Sequence, residues 1–267
     1  MERSAARTFR LRIALALSLC ALGLAGTVLT CSAPAVPASA SGAAQPLAAQ
    51  ETQEAPARRA ALPESASLDV EGVLQLPELP NGCEAASLAI LLRYYGYDAD
   101  KMEIAFTYLP RTEFVTTWFG VFGGDPETSY CGDPAGTGYY CFAAPLKEAA
   151  DRYLADQGSA LRAADRTGCS VYDLRALLAG GAPVVVWGTI DWQPIEVSER
   201  TWLLYSDGSV YRPMHNLHCL VLTGYDETSY TVYDPLEGAQ RIPAALFETR
   251  WREMGSRALS LEPALSA

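Results

Sequence analysis

Histidine and positive charge are both scarce in this 267-residue chain. It has 2 histidines, and its 20 lysines and arginines stand against 31 aspartates and glutamates, which gives a formal net charge of -11. Binding to nucleic acid requires a basic surface, so nucleic acid is not an expected partner. The sequence also lacks internal repeats and any transporter or nucleotide-binding motif. Its 49% hydrophobic content can form one sizeable core, and we expect one globular domain of about two hundred residues.

Cysteine pairs with metal-binding spacing are absent as well. None of the seven cysteines forms a Cys-x-x-Cys pair, which is common in structural zinc sites. A zinc site would have to combine His215 and His218 with scattered cysteines, and we keep it only as a minor alternative. The sequence therefore predicts a protein without a metal or other cofactor.

The first forty residues have a composition of their own. Four arginines precede an uncharged run at 13–30, and Ala38-Ser39-Ala40 offers a small-x-small cleavage site, which is the pattern of a secretory signal. An uncleaved membrane anchor and lipidation at Cys31 are the two alternatives. Each of the three places the domain outside the cytoplasm, secreted or anchored to the cell envelope. We interpret residues 41–66 as a flexible tether.

The domain itself is predicted over residues 67–258, followed by a tail at 259–267. Helical patterns precede strand patterns, which favours an α+β fold over a doubly wound α/β fold. Helices are predicted at 83–95, 100–108, 143–157, 171–178 and 243–254, and strands at 183–190, 202–205, 209–212, 217–225 and 230–234. The glycine-rich stretch 111–141 is expected either to form part of a site or to be a plain connection.

Four cysteines of the domain are candidates for disulfides, which form outside the cytoplasm. Cys131 and Cys141 lie ten residues apart in the glycine-rich stretch, and a bond between them would close it. Cys169 and Cys219 are expected either to pair or to remain buried thiols.

Cys83 lies where a proline-rich loop ending in Asn81-Gly82 becomes a helix. The first amides of a helix lack intrahelical partners and carry partial positive charge, so a thiol there is expected to shift toward the nucleophilic thiolate. Glu84, in the first turn, favours the helix end electrostatically. The backbone amide of Cys83 and the side-chain amide of Gln75 are candidate donors to an oxyanion. A buried structural cysteine is the alternative.

The two histidines differ in their suitability as a general base. His218 opens an apolar strand on which its ring can be held, whereas His215 lies in the loop before it, so we favour His218. A hairpin turning at 226–229 pairs Asp234 with position 220 or 221, within reach of His218. Such a set suits attack by a cysteine thiolate, proton transfer by the histidine and orientation of the imidazole by the aspartate.

Three parts of the sequence resemble a known family. They are QLPELPNGCE at 75–84, APVVVW at 182–187, and HCLVLTGYD at 218–226 with YDPL at 233–236. They resemble the stand-alone branch of the double-glycine, bacteriocin-processing-type cysteine peptidases, over roughly residues 70–254. The resemblance implies a papain-like fold, with N-terminal helices packed on a C-terminal antiparallel sheet. It also implies a triad of Cys83, His218 and Asp234 with an oxyanion glutamine at Gln75.

The expected function is therefore that of an exported, metal-independent cysteine peptidase. Its substrate would be a peptide or protein, and the acidic surface favours a basic or unfolded one. The transporter-fused relatives cut leader peptides after two glycines, but this chain has no transporter motif. One alternative is a cell-envelope binding module that keeps the fold without the reaction, and another is amide or acyl transfer on cell-wall peptides. We expect a monomer that meets the membrane only through its N-terminal segment.

Overall fold

The structure, a computed structural model, describes residues 60–264. The predicted leader and most of the tether lie outside the described residues. Within 60–264, no helix is both long enough and apolar enough to cross a membrane.

The five predicted helices and the five predicted strands lie close to their predicted positions. The helices are α1 Cys83–Tyr94, α2 Lys101–Glu103, which continues as a π-helical turn at Ile104–Tyr108, α3 Ala143–Asp156, α4 Val171–Ala179 and α5 Ala244–Glu253. The strands are β1 Ala66–Ser67, β2 Arg111–Thr112, β3 Val115–Thr117, β4 Gly120–Gly123, β5 Tyr130–Cys131, β6 Leu161–Asp165, β7 Val184–Thr189, β8 Trp202–Leu204, β9 Val210–Tyr211, β10 Leu217–Tyr225, β11 Ser229–Asp234, β12 Gly238–Pro243 and β13 Ala258–Pro263. The patterned segments therefore predicted helix and strand ends to within one residue, whereas the other strands, among them β6 and β12, were not predicted from the sequence.

The main sheet is antiparallel and has β7 and β10 at its centre. Its order is β12-β11-β10-β7-β13-β6, and β1 pairs with the end of β10. Every residue of β7 and β10 is buried. Helices cover both faces of the sheet, which explains why the predicted strand at 183–190 is continuously apolar rather than alternating.

Alternate residues of β7 point into the two helical layers. Val185 and Trp187 pack with α1 and α3 on one face. Val184 and Val186 pack with α4 and α5 on the other face. The first ten residues of α1 are all buried, so this helix lies inside its layer rather than at the surface. The fold is α+β, as the order of the sequence patterns predicted.

The ends of the domain differ from the sequence prediction. Residues 259–267 were expected to be a tail, but 258–263 form β13, which lies between β7 and β6. Two alternating apolar residues, Leu259 and Leu261, are too few to predict a strand from sequence. At the other end, pairing with β10 begins at Ala66, one residue before the predicted boundary at Ser67.

The glycine-rich stretch also contains regular structure. It includes β2 to β5, and β3 and β4 join β8 and β9 in a separate four-stranded sheet. Its strands are two to four residues long, which is why its many glycines obscured them in the sequence.

Candidate active site

Cys83 begins α1 at the end of a tightly folded loop. The amide of Leu79 donates to the carbonyl of Gln75 at 2.9 Å, and the amide of Gly82 donates to the carbonyl of Leu79 at 3.0 Å. A Cβ atom at Gly82 would lie 2.5 Å from Cβ of the fully buried Leu79. A glycine is therefore needed before Cys83, because the packing leaves no room for a side chain.

Gln75 lies beside the residue that follows β11. Its backbone amide donates to the carbonyl of Pro235 at 2.8 Å. The residue is 3% exposed, and its side-chain Nε2 donates to the carbonyl of Pro80 at 3.0 Å. Oε1 is buried and has no hydrogen-bond partner among residues 60–264. Buried side-chain amides are normally satisfied, so the acceptor Oε1 of Gln75 is an exception within the described residues.

His218 and Asp234 form a buried pair across the hairpin of β10 and β11. His218 Nε2 lies 2.7 Å from Asp234 Oδ1. The register pairs Val221 with Tyr233, so Asp234 stands one residue beyond this pair, as the predicted hairpin required. The same oxygen accepts the amide of Leu236 at 2.7 Å, which orients the carboxylate. With Nε2 directed to Asp234, Nδ1 is the ring nitrogen left for another partner.

The sequence-predicted residues meet at one open cleft of about 670 Å³. Its lining includes Gln75, Asn81, Cys83, Tyr139, Tyr140, Glu196, Glu199, Arg200, His215 and His218. Asp234 reaches the cleft through its hydrogen bond to His218. Tyr139 and Tyr140 belong to the glycine-rich stretch, which therefore contributes to the site. The segment 196–200 was not predicted from the sequence, where it has no periodic pattern.

The Cys83 thiol does not have the lowered pKa that its place at a helix start predicted. Burial, assisted by the neighbouring carboxyl group of Glu84, raises the pKa of the thiol well above its ordinary value. The thiol donates a hydrogen bond from Sγ to Glu84 Oε2 at 3.3 Å. A helix terminus stabilises a charge by about 0.3 to 1 kcal/mol, whereas desolvation can shift the pKa of a buried group by about 3 to 5 units. Desolvation therefore prevails.

Sequence reasoning missed the position of Glu84 within the site. This residue was expected only to favour the helix end, but it is fully buried, and Oε1 accepts the amide of Cys141 at 3.0 Å. Burial raises the pKa of its carboxyl group to about 7. A signal was present, because α1 is apolar around its whole circumference, so an acidic residue in its first turn cannot face water. In the structure the thiol hydrogen is thus directed to Glu84 rather than to His218.

The candidate disulfide between Cys131 and Cys141 is not formed in the structure. The cysteines of the described part are all free thiols, namely Cys83, Cys131, Cys141, Cys169 and Cys219. Cys131 Sγ donates to the carbonyl of Gly124 at 3.3 Å, and the amide of Cys131 donates to the carbonyl of Tyr140 at 3.1 Å. Backbone hydrogen bonds therefore close this stretch. No three His, Cys, Asp or Glu side chains within 60–264 are grouped so that they could hold a metal ion.

Comparisons with known proteins agree with the sequence resemblance. Residues 67–259 match the model of the Peptidase_C39 like family. The chain is 30% identical over 194 residues to YvpB of Bacillus subtilis (strain 168), an uncharacterized protein, and the match covers 71% of this chain and 72% of YvpB. The crystal structure of a C39-like peptidase from Bacillus anthracis is 32% identical, with a TM-score of 0.65, and the match covers 75% of this chain and 98% of that one.

A double glycine motif protease from an AMS/PCAT transporter, solved in complex with a leader peptide, is 17% identical with a TM-score of 0.40. This match covers 74% of the present chain and 95% of the protease. The family match spans most of the chain, and the fold is the papain-like fold of cysteine peptidases. The chain therefore belongs to the Peptidase_C39 like family.

Proposed function

We propose that the protein is an exported cysteine peptidase that hydrolyses peptide bonds through a triad of Cys83, His218 and Asp234. The observation that carries the proposal is that a cysteine at a helix start and a histidine paired to a buried carboxyl group line the same cleft. A histidine that is itself oriented by a third group is one of the arrangements that activate a thiol for nucleophilic catalysis. Membership of the family supports the same chemistry.

In the first step, His218 accepts the thiol proton at Nδ1, and Sγ of Cys83 attacks the carbonyl carbon of the scissile peptide bond. The thiol must first exchange its hydrogen bond with Glu84 for one with the imidazole. Asp234 holds the ring through Nε2 and stabilises the imidazolium ion. The imidazolium then donates its proton to the leaving amine, the C–N bond breaks, and an acyl-enzyme remains on Sγ.

The negative oxygen of the tetrahedral intermediate would bind between the backbone amide of Cys83 and Nε2 of Gln75. The first amides of α1 have no partner within the helix, and Gln75 Nε2 has a second hydrogen besides the one given to Pro80. In the second step, His218 removes a proton from water, which attacks the acyl-enzyme. The carboxylic acid product leaves and the thiol is restored.

The proposed substrate is a peptide or protein outside the cytoplasm, cleaved by a monomeric enzyme. The predicted leader supports export. The cleft lining has two carboxylates, Glu196 and Glu199, against one guanidinium, Arg200, and this excess of negative charge supports a preference for basic residues near the scissile bond. A product map from a peptide library tests this preference, and no enrichment of Lys or Arg near the cut would remove it.

The test of hydrolysis incubates the purified protein with casein, a diglycine leader peptide and cell-wall stem peptides. The wild type is compared with Cys83→Ala and with Cys169→Ala, which removes a half-buried thiol outside the cleft lining. We expect the wild type and Cys169→Ala to release the same products and Cys83→Ala to release none. Cleavage that persists in Cys83→Ala would refute the proposal.

A binding module of the cell envelope that lacks the reaction is the second candidate, because Cys83 is buried and its pKa is raised. It predicts that the wild type, like Cys83→Ala, releases no products from casein, the diglycine leader peptide or the stem peptides. Products that depend on Cys83 would exclude it. Amide or acyl transfer by the same residues is distinguished by mass, because its products carry the acceptor amine instead of water.

A further inference from the structure

Glu84 contacts the sulfur of Cys83, yet the proposed triad gives this carboxyl group no task. Both of its oxygens are bound, Oε1 to the amide of Cys141 at 3.0 Å and Oε2 to the thiol at 3.3 Å. The indole of Trp187 also donates to the carbonyl of Cys141 at 3.0 Å, so this peptide is held from two sides. Glu84 therefore joins the nucleophile to the segment whose preceding residues, 138–140, line the cleft.

The side chains whose pKa Glu84 raises are thiols and phenols. They include Cys83 on the same helix, Tyr130 and Cys131 on β5, Tyr140 and Cys141 after β5, and Cys219 on β10. In the part of the chain that the structure describes, no lysine, arginine or histidine forms an ion pair with Glu84. Burial without a cation disfavours the ionised carboxylate, and the pKa of Glu84 is raised to about 7. This carboxyl group therefore changes charge near neutral pH.

We propose that Glu84 is a positioning residue for the nucleophile, whose ionised form holds the thiol hydrogen of Cys83 away from His218 and whose neutral form stabilises the thiolate. The inference rests on the proposed function, because it takes Cys83 to be the nucleophile. The ionised carboxylate accepts the S–H hydrogen and repels a thiolate. The neutral carboxyl group instead donates its O–H hydrogen to the sulfur. Protons balance, because Glu84 gains one from solvent while the thiol passes its own to His218.

The two groups share one hydrogen bond, so they titrate as a coupled pair. Below about pH 7, where Glu84 is neutral, the thiolate fraction rises tenfold per pH unit, as for an isolated thiol. Above about pH 7 the carboxylate opposes further ionisation, and the thiolate fraction stays nearly level. Glutamine at position 84 accepts the amide of Cys141, donates to Sγ and does not ionise. In Glu84→Gln the thiolate fraction of Cys83 should therefore continue to rise above about pH 7.

The test measures the rate at which iodoacetamide alkylates Cys83 in the full chain, between about pH 5.5 and about pH 8.5, by peptide mass spectrometry. The wild type is compared with Glu84→Gln and with Glu103→Gln, which makes the same change at an exposed position of α2. We expect the rate of Glu84→Gln relative to the wild type to be near unity at the acid end and to reach about tenfold near pH 8. Glu103→Gln should follow the wild type throughout. A ratio for Glu84→Gln that does not change with pH would overturn the proposal.

A second measurement covers the case in which Glu84→Gln does not fold. Protein labelled with ¹³C at the glutamate carboxyl carbons should show one resonance that titrates near pH 7. In Cys83→Ala its midpoint should rise, because the carboxylate loses the S–H donor that favours its charged form. An unchanged midpoint, or no glutamate that titrates near neutral pH, would overturn the proposal.

Neither measurement needs a substrate, so the two proposals can fail separately. A pH-dependent alkylation ratio in a protein that cleaves nothing would refute hydrolysis and leave the assignment of Glu84 intact. Cleavage that requires Cys83, together with a constant ratio, would refute only the assignment of Glu84.

Discussion

Replacing Asp234 by asparagine should remove most of the catalytic activity while leaving the fold intact. Asparagine has nearly the same shape and can still accept the amide of Leu236, but it has no charge. His218 Nε2 lies 2.7 Å from Asp234 Oδ1. Two unit charges about 4 Å apart attract each other by about 4 kcal/mol at an effective dielectric constant of about 20, and we take this as the order of magnitude for the imidazolium and the carboxylate. Loss of that stabilisation in the transition state should lower kcat/KM about 10³-fold.

The assay measures kcat/KM for a peptide that the wild type cleaves, together with the thermal unfolding of each protein. Asp207→Asn is the matched control, because it makes the same change at the exposed tip of the hairpin of β8 and β9. We expect Asp207→Asn to retain wild-type kinetics. Activity of Asp234→Asn within about tenfold of the wild type would refute the argument that the buried carboxylate stabilises the imidazolium ion.

Three further predictions concern the loop that precedes α1 and the first turn of this helix. Gln75→Ala should lower kcat about 10²- to 10³-fold with little change in KM, because one donor to the oxyanion is lost; a loss confined to KM in steady-state kinetics would contradict this. Glu84→Gln should raise the free energy of unfolding near pH 8 by up to about 3 kcal/mol, because the carboxyl pKa is about 7 in the folded protein against an ordinary value of 4.5. The folded wild type binds the extra proton as the pH falls, so its stability declines as the pH rises from about 4.5 through about 7. The free energies of unfolding of the two proteins should converge at or below about pH 4.5. Denaturant titrations at both ends of this range measure the difference, and an equal difference at both ends would contradict the reasoning. Gly82→Ala should lower the free energy of unfolding by about 1 to 3 kcal/mol, because its Cβ would lie 2.5 Å from Leu79 Cβ; an unchanged urea midpoint would show that the loop accommodates a side chain.

Most of the secondary structure was predictable from local patterns in the sequence. β7 was predicted from a β-branched run, and the hairpin of β10 and β11 from two apolar segments around Asp226-Glu-Thr-Ser229. Such elements are predictable because their apolar period and turn residues are local properties of the chain. The two leucines of β13 form a pattern too short to predict a strand. They belong to a strand because this segment pairs between β7 and β6 in the sheet.

The candidate site was predictable to the same extent. The proline-rich loop placed Cys83 at the start of α1, and the hairpin register placed Asp234 beside His218. The wall formed by 196–200 was not predictable, because irregular segments are positioned by contacts with distant parts of the chain.

Sequence alone determined which residues stand at the helix start and on the hairpin, because helix starts, turns and strand register depend on neighbours in the chain. The direction in which the pKa of the Cys83 thiol shifts depends on the tertiary structure. This thiol was expected to have a lowered pKa from the helix terminus, but burial and the carboxyl group of Glu84 raise that pKa. Desolvation depends on every element packed around a group, and here those elements include the residues near Cys141 and the strand β10, which lie far from Cys83 in the sequence.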